Sequence, residues 1–384
     1  MIVRNEAHVI ARCLESVRPY VGHWVIVDTG STDATRELVR DLMVDVPGFL
    51  LRHEWIDFGH NRSLALAAAR PHAEYTLMID ADEIFDVPDG FAWPQLTSDS
   101  VQLRHRAGNT VYWRKTMFAN RLPWRYVGVL HEYPEADGEQ SSDRLAEPEV
   151  IGYYDGGRSK GLSNKEKYAR DARVLEAAVA AEPDNTRYQY YLARSYRDSG
   201  QDQLAEAAFR RRAEMPGGFA EEVADSLLEA AGYLARSGTD FDAVVTAYLR
   251  AWESRPIRAE ALAGLARYCR EQGRYALGRM FAAHSLTIPR PDDLLWIDEE
   301  VYDWRRLDEL AVCSTWTGHW VDAAAGCELL LAEGRLPKGE RSRVRKNLKL
   351  AREHLDPALL PGGKKRGEGK KHKKGRKPGS AADH

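Results

Sequence analysis

The spacing of hydrophobic residues changes character near residue 160. Before it, short apolar runs alternate with stretches of helical period. Met1-Ile2-Val3 reads as the end of a strand. Val9, Ile10, Cys13, Leu14 and Val17 then recur as one face of a helix. His23 to Val27 is a second strand that stops at Asp28, and Thr29 to Asp33 is a turn able to cap a helix over Ala34 to Leu42. Gly48 to Ile56 predicts a third strand, Asn61 to Arg70 a helix, and Tyr75 to Ile79 a fourth strand ending in Asp80, Asp82 and Glu83. Strands and helices alternating through short turns predict a mostly parallel α/β sheet, whose carboxyl edge is where ligands bind. From Ser100 to Tyr154 the pattern is mixed. Val101 to Arg104 alternates as a strand, Tyr112-Trp113 opens another, Tyr126 to Tyr133 reads as a strand carrying His131 and Glu132 at its end, and Asp137 to Glu149 is acidic enough for a surface loop.

After Gly156-Gly157 the pattern is helical to about residue 355, and it repeats. A small or apolar pair is followed, seven residues after its second member, by glycine: Leu192-Ala193 with Gly200, Ala230-Ala231 with Gly238, Leu265-Ala266 with Gly273, Leu310-Ala311 with Gly318. Five residues beyond each glycine stands a small residue, Ala205, Ala243, Gly278 or Ala323, and Pro183, Pro216, Pro256 and Pro289 close the units. This resembles tetratricopeptide repeats, two helices around a glycine turn, in degenerate form and with an insertion in the middle unit. One such unit cannot bury its apolar face alone, so the stack supplies the core. Trp252, Trp296, Trp304, Trp316 and Trp320 fall mainly on core positions of this array. The organisation expected is therefore an α/β domain over 1–158, an all-α repeat domain over 159–355 and a basic tail over 356–384.

Charge adds one feature. The net charge of −3 conceals a tail in which nine of the fourteen residues from Lys364 to Lys377 are Lys or Arg. That block, rich also in Gly and lacking aromatics, is expected to be disordered and solvated, with an anionic partner as its alternative use. The four cysteines are scattered, without zinc or disulfide spacing, and no apolar run is long enough for a membrane span. Arg4 and Glu6 interrupt any signal peptide. The cytoplasm is the expected location.

The acidic strand end is the candidate chemistry. Carboxylates crowded at Asp80, Asp82 and Glu83 raise one another's pKa unless a cation sits among them, and Mg²⁺ or Mn²⁺ takes one or two carboxylates together with substrate phosphates. Met1-Ile2-Val3-Arg4-Asn5-Glu6-Ala7 with Arg12 to Val17, Val27 to Asp33, Asp57-Phe58-Gly59-His60-Asn61-Arg62-Ser63, and Asp80-Ala81-Asp82 together resemble the motifs of family 2 inverting glycosyltransferases of the Rossmann-like GT-A fold. The resemblance implies a nucleotide-sugar donor and a divalent cation, with Asp82 on the metal and Asp80 on ribose or a metal-bound water. It further implies Asp28 on base or ribose, Arg62 on base or diphosphate, and the backbone of Val3 to Asn5 lining the nucleotide pocket. The first strand is shorter than in that family, which points to an upstream start.

An inverting transfer needs a base for the acceptor hydroxyl. His131 and Glu132 are candidates, Glu83 and Asp86 are rivals, and His131 has a third use as a metal ligand. The function expected is metal-dependent transfer of a sugar to a protein, peptide or glycan acceptor, with the helical array holding the acceptor or a second copy of the chain. The competing expectation is a non-enzymatic repeat scaffold with a degenerate transferase-like domain. A nucleotidyltransferase would need a Gly-rich basic loop after the first strand, and Arg4 to Ala7 is not one.

Overall fold

The computed structural model describes residues 1–355 except Asn109, Tyr154, Ser159, Lys160 and Trp296, and only the backbone of Thr110. The basic tail and Trp296 thus lie outside the described residues. The chain forms two compact units, one comprising Met1–Pro256 with Pro291–Ile297, the other Ile257–Arg290 with the residues from Asp298 on.

The first unit opens with β1 (Ile2–Val3), α1 (Ile10–Val17), β2 (Trp24–Asp28), α2 (Thr35–Leu42), β3 (Gly48–Arg52) and α3 (Phe58–Ala69). The three strands pair in parallel, order β1-β2-β3, and end level at Val3, Asp28 and Arg52. The helical spacing seen in the sequence is what packs α1 on this sheet: Ile10, Cys13, Leu14 and Val17 are its buried residues. Asp57 caps α3 by accepting from His60 N at 2.7 Å, which sets where that helix starts and so where Arg62 stands. β1 faces only the last two residues of β2. Beside it a cavity of about 470 Å³ is lined by Met1, Val25, Ile26, Leu77, Met117 and neighbours, with the Met1 amine donating to the Val25 carbonyl at 3.2 Å.

β4 (Tyr75–Leu77), β5 (Glu83–Asp86), β6 (Ser100–Ala107), β7 (Thr110–Ala119) and β10 (Ser142–Gly152) form a second sheet in the order β4-β7-β6-β10-β5; β8 (Arg125–Val127) and β9 (Tyr133–Glu135) pair separately. Here the expectation of a mostly parallel sheet fails. Only β6–β10 is parallel, while β4–β7, β6–β7 and β5–β10 are antiparallel, so the domain is mixed α/β. The reason is connectivity: after β5 there are no crossover helices, and a short link such as that between β6 and β7 forces the next strand to run back. Tyr126 to Tyr133 is likewise not one strand. Gly128 (φ +114°) and His131 (φ +52°) break it into the antiparallel β8–β9 pair. Of the polar run Asp137 to Glu149, residues 137–141 are loop as expected, but Ser142 to Glu149 makes up most of β10, where strand pairing and the ion pairs of Arg104 and Arg106 with Glu149 replace an apolar pattern.

The same unit continues into α4 (Asn164–Ala181), α5 (Thr186–Asp198), α6 (Asp202–Glu214), α7 (Ala220–Arg236) and α8 (Phe241–Ser254). Ser163 and Glu166 close a capping box at the start of α4. Tyr196, Ala205 and Phe209 are buried where α5 and α6 pack, as the repeat frame predicts. The insertion of the middle unit is accommodated in α7, 17 residues against 13 in α5. The turn after Gly238 is also one residue longer, so Val244 takes the buried position that the frame assigned to Ala243, which is exposed.

The second unit holds α9 (Glu260–Glu271), α10 (Tyr275–Leu286), a π-helical turn over Val301–Arg305, α11 (Arg306–Trp316), α12 (Trp320–Ala332) and α13 (Arg341–Glu353). Gly273 and Gly318 turn their pairs at φ +70° and +74°, as Gly200 and Gly238 do at +76° and +75° in the first unit. A glycine reaches this left-handed region without the steric penalty of a Cβ. Ala266 and Ala323 are fully buried. Of the tryptophans expected in the core, Trp252, Trp304 and Trp320 are half-buried, but Trp316 is 66% exposed and stacks on Tyr275. Among the described residues no helix is long and apolar enough to cross a membrane.

Candidate functional site

The carboxyl ends of β1 and β2 form the first half of the site. Asp28 is 1% exposed; its Oδ1 accepts from Gly30 N (3.1 Å) and Ser31 N (3.0 Å), while Oδ2 is buried without a hydrogen-bond partner. The Val3 carbonyl takes the Thr29 amide and hydroxyl, at 2.9 and 3.1 Å. Asn5 sits at φ +58°, a region its short amide tolerates, donates its N–H to Ser31 Oγ (3.0 Å) and accepts at Oδ1 from Thr32 N (2.8 Å). The two strand ends are thereby tied into one wall.

The second half lies in the turn between β4 and β5. Arg62 of α3 reaches Asp80 Oδ1 through Nη2 at 2.7 Å and Glu132 Oε1 through Nε at 2.7 Å, with its side chain only 11% exposed. Burial alone would lower the Arg62 pKa, but Asp80 and then Glu132 outweigh it and raise it above the ordinary value, so the cation is held firmly. Arg114 of β7 donates through Nη2 to both oxygens of Glu83 (2.9 and 3.0 Å), and its Nη1 lies 3.8 Å from Asp80 Oδ2. Burial would raise the Glu83 carboxyl, yet Arg114 and then His105 pull it down to about 2. Glu83 also accepts the Asp80 amide at 2.9 Å.

Asp82 is half-buried and accepts from Gly156 N at 3.2 Å. Burial, then the charges of Asp80 and Glu83, hold its carboxyl above the usual range. Among the described residues, however, no group of three or more His, Cys, Asp or Glu side chains could hold a metal ion. Two carboxylates, one of them engaged by Arg62, do not make a closed metal cage.

The base candidates separate. Glu132 is beside Arg62. The His131 ring stacks on Tyr191 of α5 at 3.9 Å and 9°, and its carbonyl accepts from Arg187 Nε and Nη2 at 3.1 and 2.8 Å. Packing around the ring, then Arg158, Arg187, Arg194 and Lys167, push the His131 pKa below its ordinary value, although the residue as a whole is exposed. Asp86 is exposed at the end of β5. Three contributors escaped the sequence reading. Arg114 lies in an ordinary strand pattern and meets Glu83 only through sheet register. Glu6, which accepts from Gly157 N at 2.9 Å, and Gly156 had been read as motif flank and chain breaker.

With this geometry in view, comparison with known proteins is informative for the first part of the chain. The Glycosyl transferase family 2 model matches residues 1–89. A TPR repeat-containing protein of Synechococcus elongatus is 31% identical over 206 residues, 48% of each chain. The SPbeta prophage-derived glycosyltransferase SunS of Bacillus subtilis is 23% identical over 208 residues, 50% of this chain and 47% of its own. The chain spans about half the length of the curated relatives it matches. Among solved structures, a tetratricopeptide repeat protein of Parabacteroides merdae aligns with 50% of this chain and 72% of its own, at 15% identity and a TM-score of 0.37. The amino-terminal region is glycosyltransferase-2-like, and a TPR-like helical repeat region follows it.

Proposed function

We propose that the chain is a nucleotide-sugar-dependent glycosyltransferase that inverts the anomeric centre, its helical repeats holding a protein, peptide or glycan acceptor. The observation that carries this reading is Asp28: a buried carboxylate oxygen without a partner, in a wall built from two strand ends, calls for a donor such as a ribose hydroxyl or a base N–H. The family match over residues 1–89 supports the same assignment.

Within it, Asp82, with Asp80 beside it, would take a divalent Mn or Mg ion, and such an ion would stabilise charge developing on the departing diphosphate. Arg62 fixes Asp80 and orients Glu132. Arg114 and Glu83 hold the turn that presents both aspartates. We assign Glu132 as the base for the acceptor hydroxyl, since Arg62 meets it at Oε1, whereas Arg114 claims both oxygens of Glu83 and the His131 ring is stacked on Tyr191.

The test is a panel of UDP-, GDP- and dTDP-sugars with Mn²⁺ or Mg²⁺. Slow metal-dependent hydrolysis of one donor is expected, abolished in Asp82→Asn while circular dichroism and thermal midpoint are kept. No metal-dependent binding or turnover across the panel would leave the scaffold reading in its place.

A further inference from the structure

The segment after β10 crosses the corner just described on two consecutive glycines. Gly156 N–H donates to Asp82 Oδ2 at 3.2 Å and Gly157 N–H to Glu6 Oε2 at 2.9 Å. Gly157 has no room for a side chain, and Gly156 has little. A Cβ on Gly156 would stand 3.1 Å from Asp82 Oδ2, and one on Gly157 would stand 2.7 and 2.8 Å from the carbonyl oxygens of Arg4 and Asn5. Both flanks are pinned. Asp155 takes Arg12 Nη2 and Nη1 at 2.7 and 3.2 Å, and its carbonyl meets His8 Nε2 at 2.8 Å. Arg158 pairs with Asp171 of α4 and lies over the Phe58 ring at 4.9 Å.

The Gly156 amide therefore rests on the carboxylate that a donor complex would claim, and the Gly157 amide on Glu6. A cation and an N–H donor compete for the lone pairs of the same carboxylate, and a buried N–H that loses its acceptor needs another. The diphosphate of a nucleotide supplies such acceptors. The guanidinium groups that contact the two aspartates are already engaged, Arg62 by Asp80 and Glu132, Arg114 by Glu83, and Arg12, whose Nη2 lies 3.5 Å from the Asp82 carbonyl, by Asp155. Successive backbone N–H groups, by contrast, form concavities suited to anions.

We propose that the Gly156 and Gly157 amides are a diphosphate-binding clasp, which leaves Asp82 and Glu6 for the diphosphate oxygens of a bound nucleotide. This rests on the nucleotide-dependent function proposed above. Binding exchanges partners without leaving a donor unpaired, and the anchors at Asp155 and Arg158 keep the clasp in register.

Calorimetric titration of the full chain with UDP, GDP, dTDP and CDP in the presence of Mn²⁺ tests it. For the nucleotide that the wild type binds, Gly156→Ala and Gly157→Ala should each weaken affinity roughly tenfold or more. Asp155→Ala, which frees one exposed flank and spares the core, should weaken it severalfold with the thermal midpoint unchanged, and it decides the matter where a glycine variant fails to fold. Hydrogen exchange at residues 155–158 should stay slow or slow further on adding Mn²⁺ with that nucleotide. Equal affinity in all the folded variants, or faster exchange on binding, would overturn the clasp alone. A wild type that binds none of the four nucleotides would overturn the functional reading beneath it.

Discussion

Arg62 and Asp80 meet at 2.7 Å, and the same guanidinium reaches Glu132 at 2.7 Å, so one buried side chain ties the turn after β4 to the β8–β9 hairpin. A lysine carries the charge but has one nitrogen where arginine presents a fork.

Arg62→Lys is accordingly expected to lose one of the two contacts and to destabilise the fold by about 1–3 kcal/mol. Arg62→Ala leaves two carboxylates facing each other and should cost about 3–5 kcal/mol. Urea denaturation of both variants, with nucleoside diphosphate titration of the lysine variant, checks the ordering.

Glu83 gives a pH dependence with a definite sign. Its folded pKa of about 2 lies below the ordinary 4.5 of a glutamate, so its ionised form contributes stability above about pH 4.5 that is lost as pH falls through 2. Glu83→Gln should be less stable than wild type at neutral pH because Arg114 loses its partner. The gap should begin to close below about pH 4.5 and be nearly gone near pH 2. Thermal midpoints of both proteins across that range measure it; a gap constant with pH would mean that the Glu83 charge is not what Arg114 holds.

His131 and Glu132 are adjacent yet predicted to behave differently. His131→Phe preserves the stack on Tyr191 and should keep turnover within about threefold, under 1 kcal/mol. Glu132→Gln should lower kcat by about 100-fold or more while leaving donor KM nearly unchanged. Steady-state kinetics with the donor found in the panel separates the two.

In the second unit, Gly278→Ala tests the close packing of the repeat. A Cβ there would stand 2.8 Å from Cys313 Sγ and 3.1 Å from the Ala266 carbonyl, so α10 must move away from α9 and α11. The expected loss is about 1–3 kcal/mol. A neutral substitution, read by denaturant titration, would show that the small residue in the frame is not a packing requirement.

Several features were legible because they are local. The helical face of α1, the strand ending at Asp28, the cap at Asp57 and the glycine turns of the repeats each depend on residues a few positions apart, where periodicity and backbone preference act directly. Ala243 missed its position for the same reason: a one-residue change in turn length carries every following side chain about 100° around the helix.

Local pattern accounts for the elements as far as Asp82, for the repeat frame and for the carboxylates at the strand ends. Which residues those carboxylates meet is set by the fold. The folded sheet brings Arg114 of β7 to Glu83 of β5, the break at Gly128 and His131 lies beside Glu132, which meets Arg62, and the glycines after β10 come back to Asp82 and Glu6. Those contacts join residues 31 to 151 positions apart, and their partners are chosen by sheet pairing and packing, which no local pattern encodes.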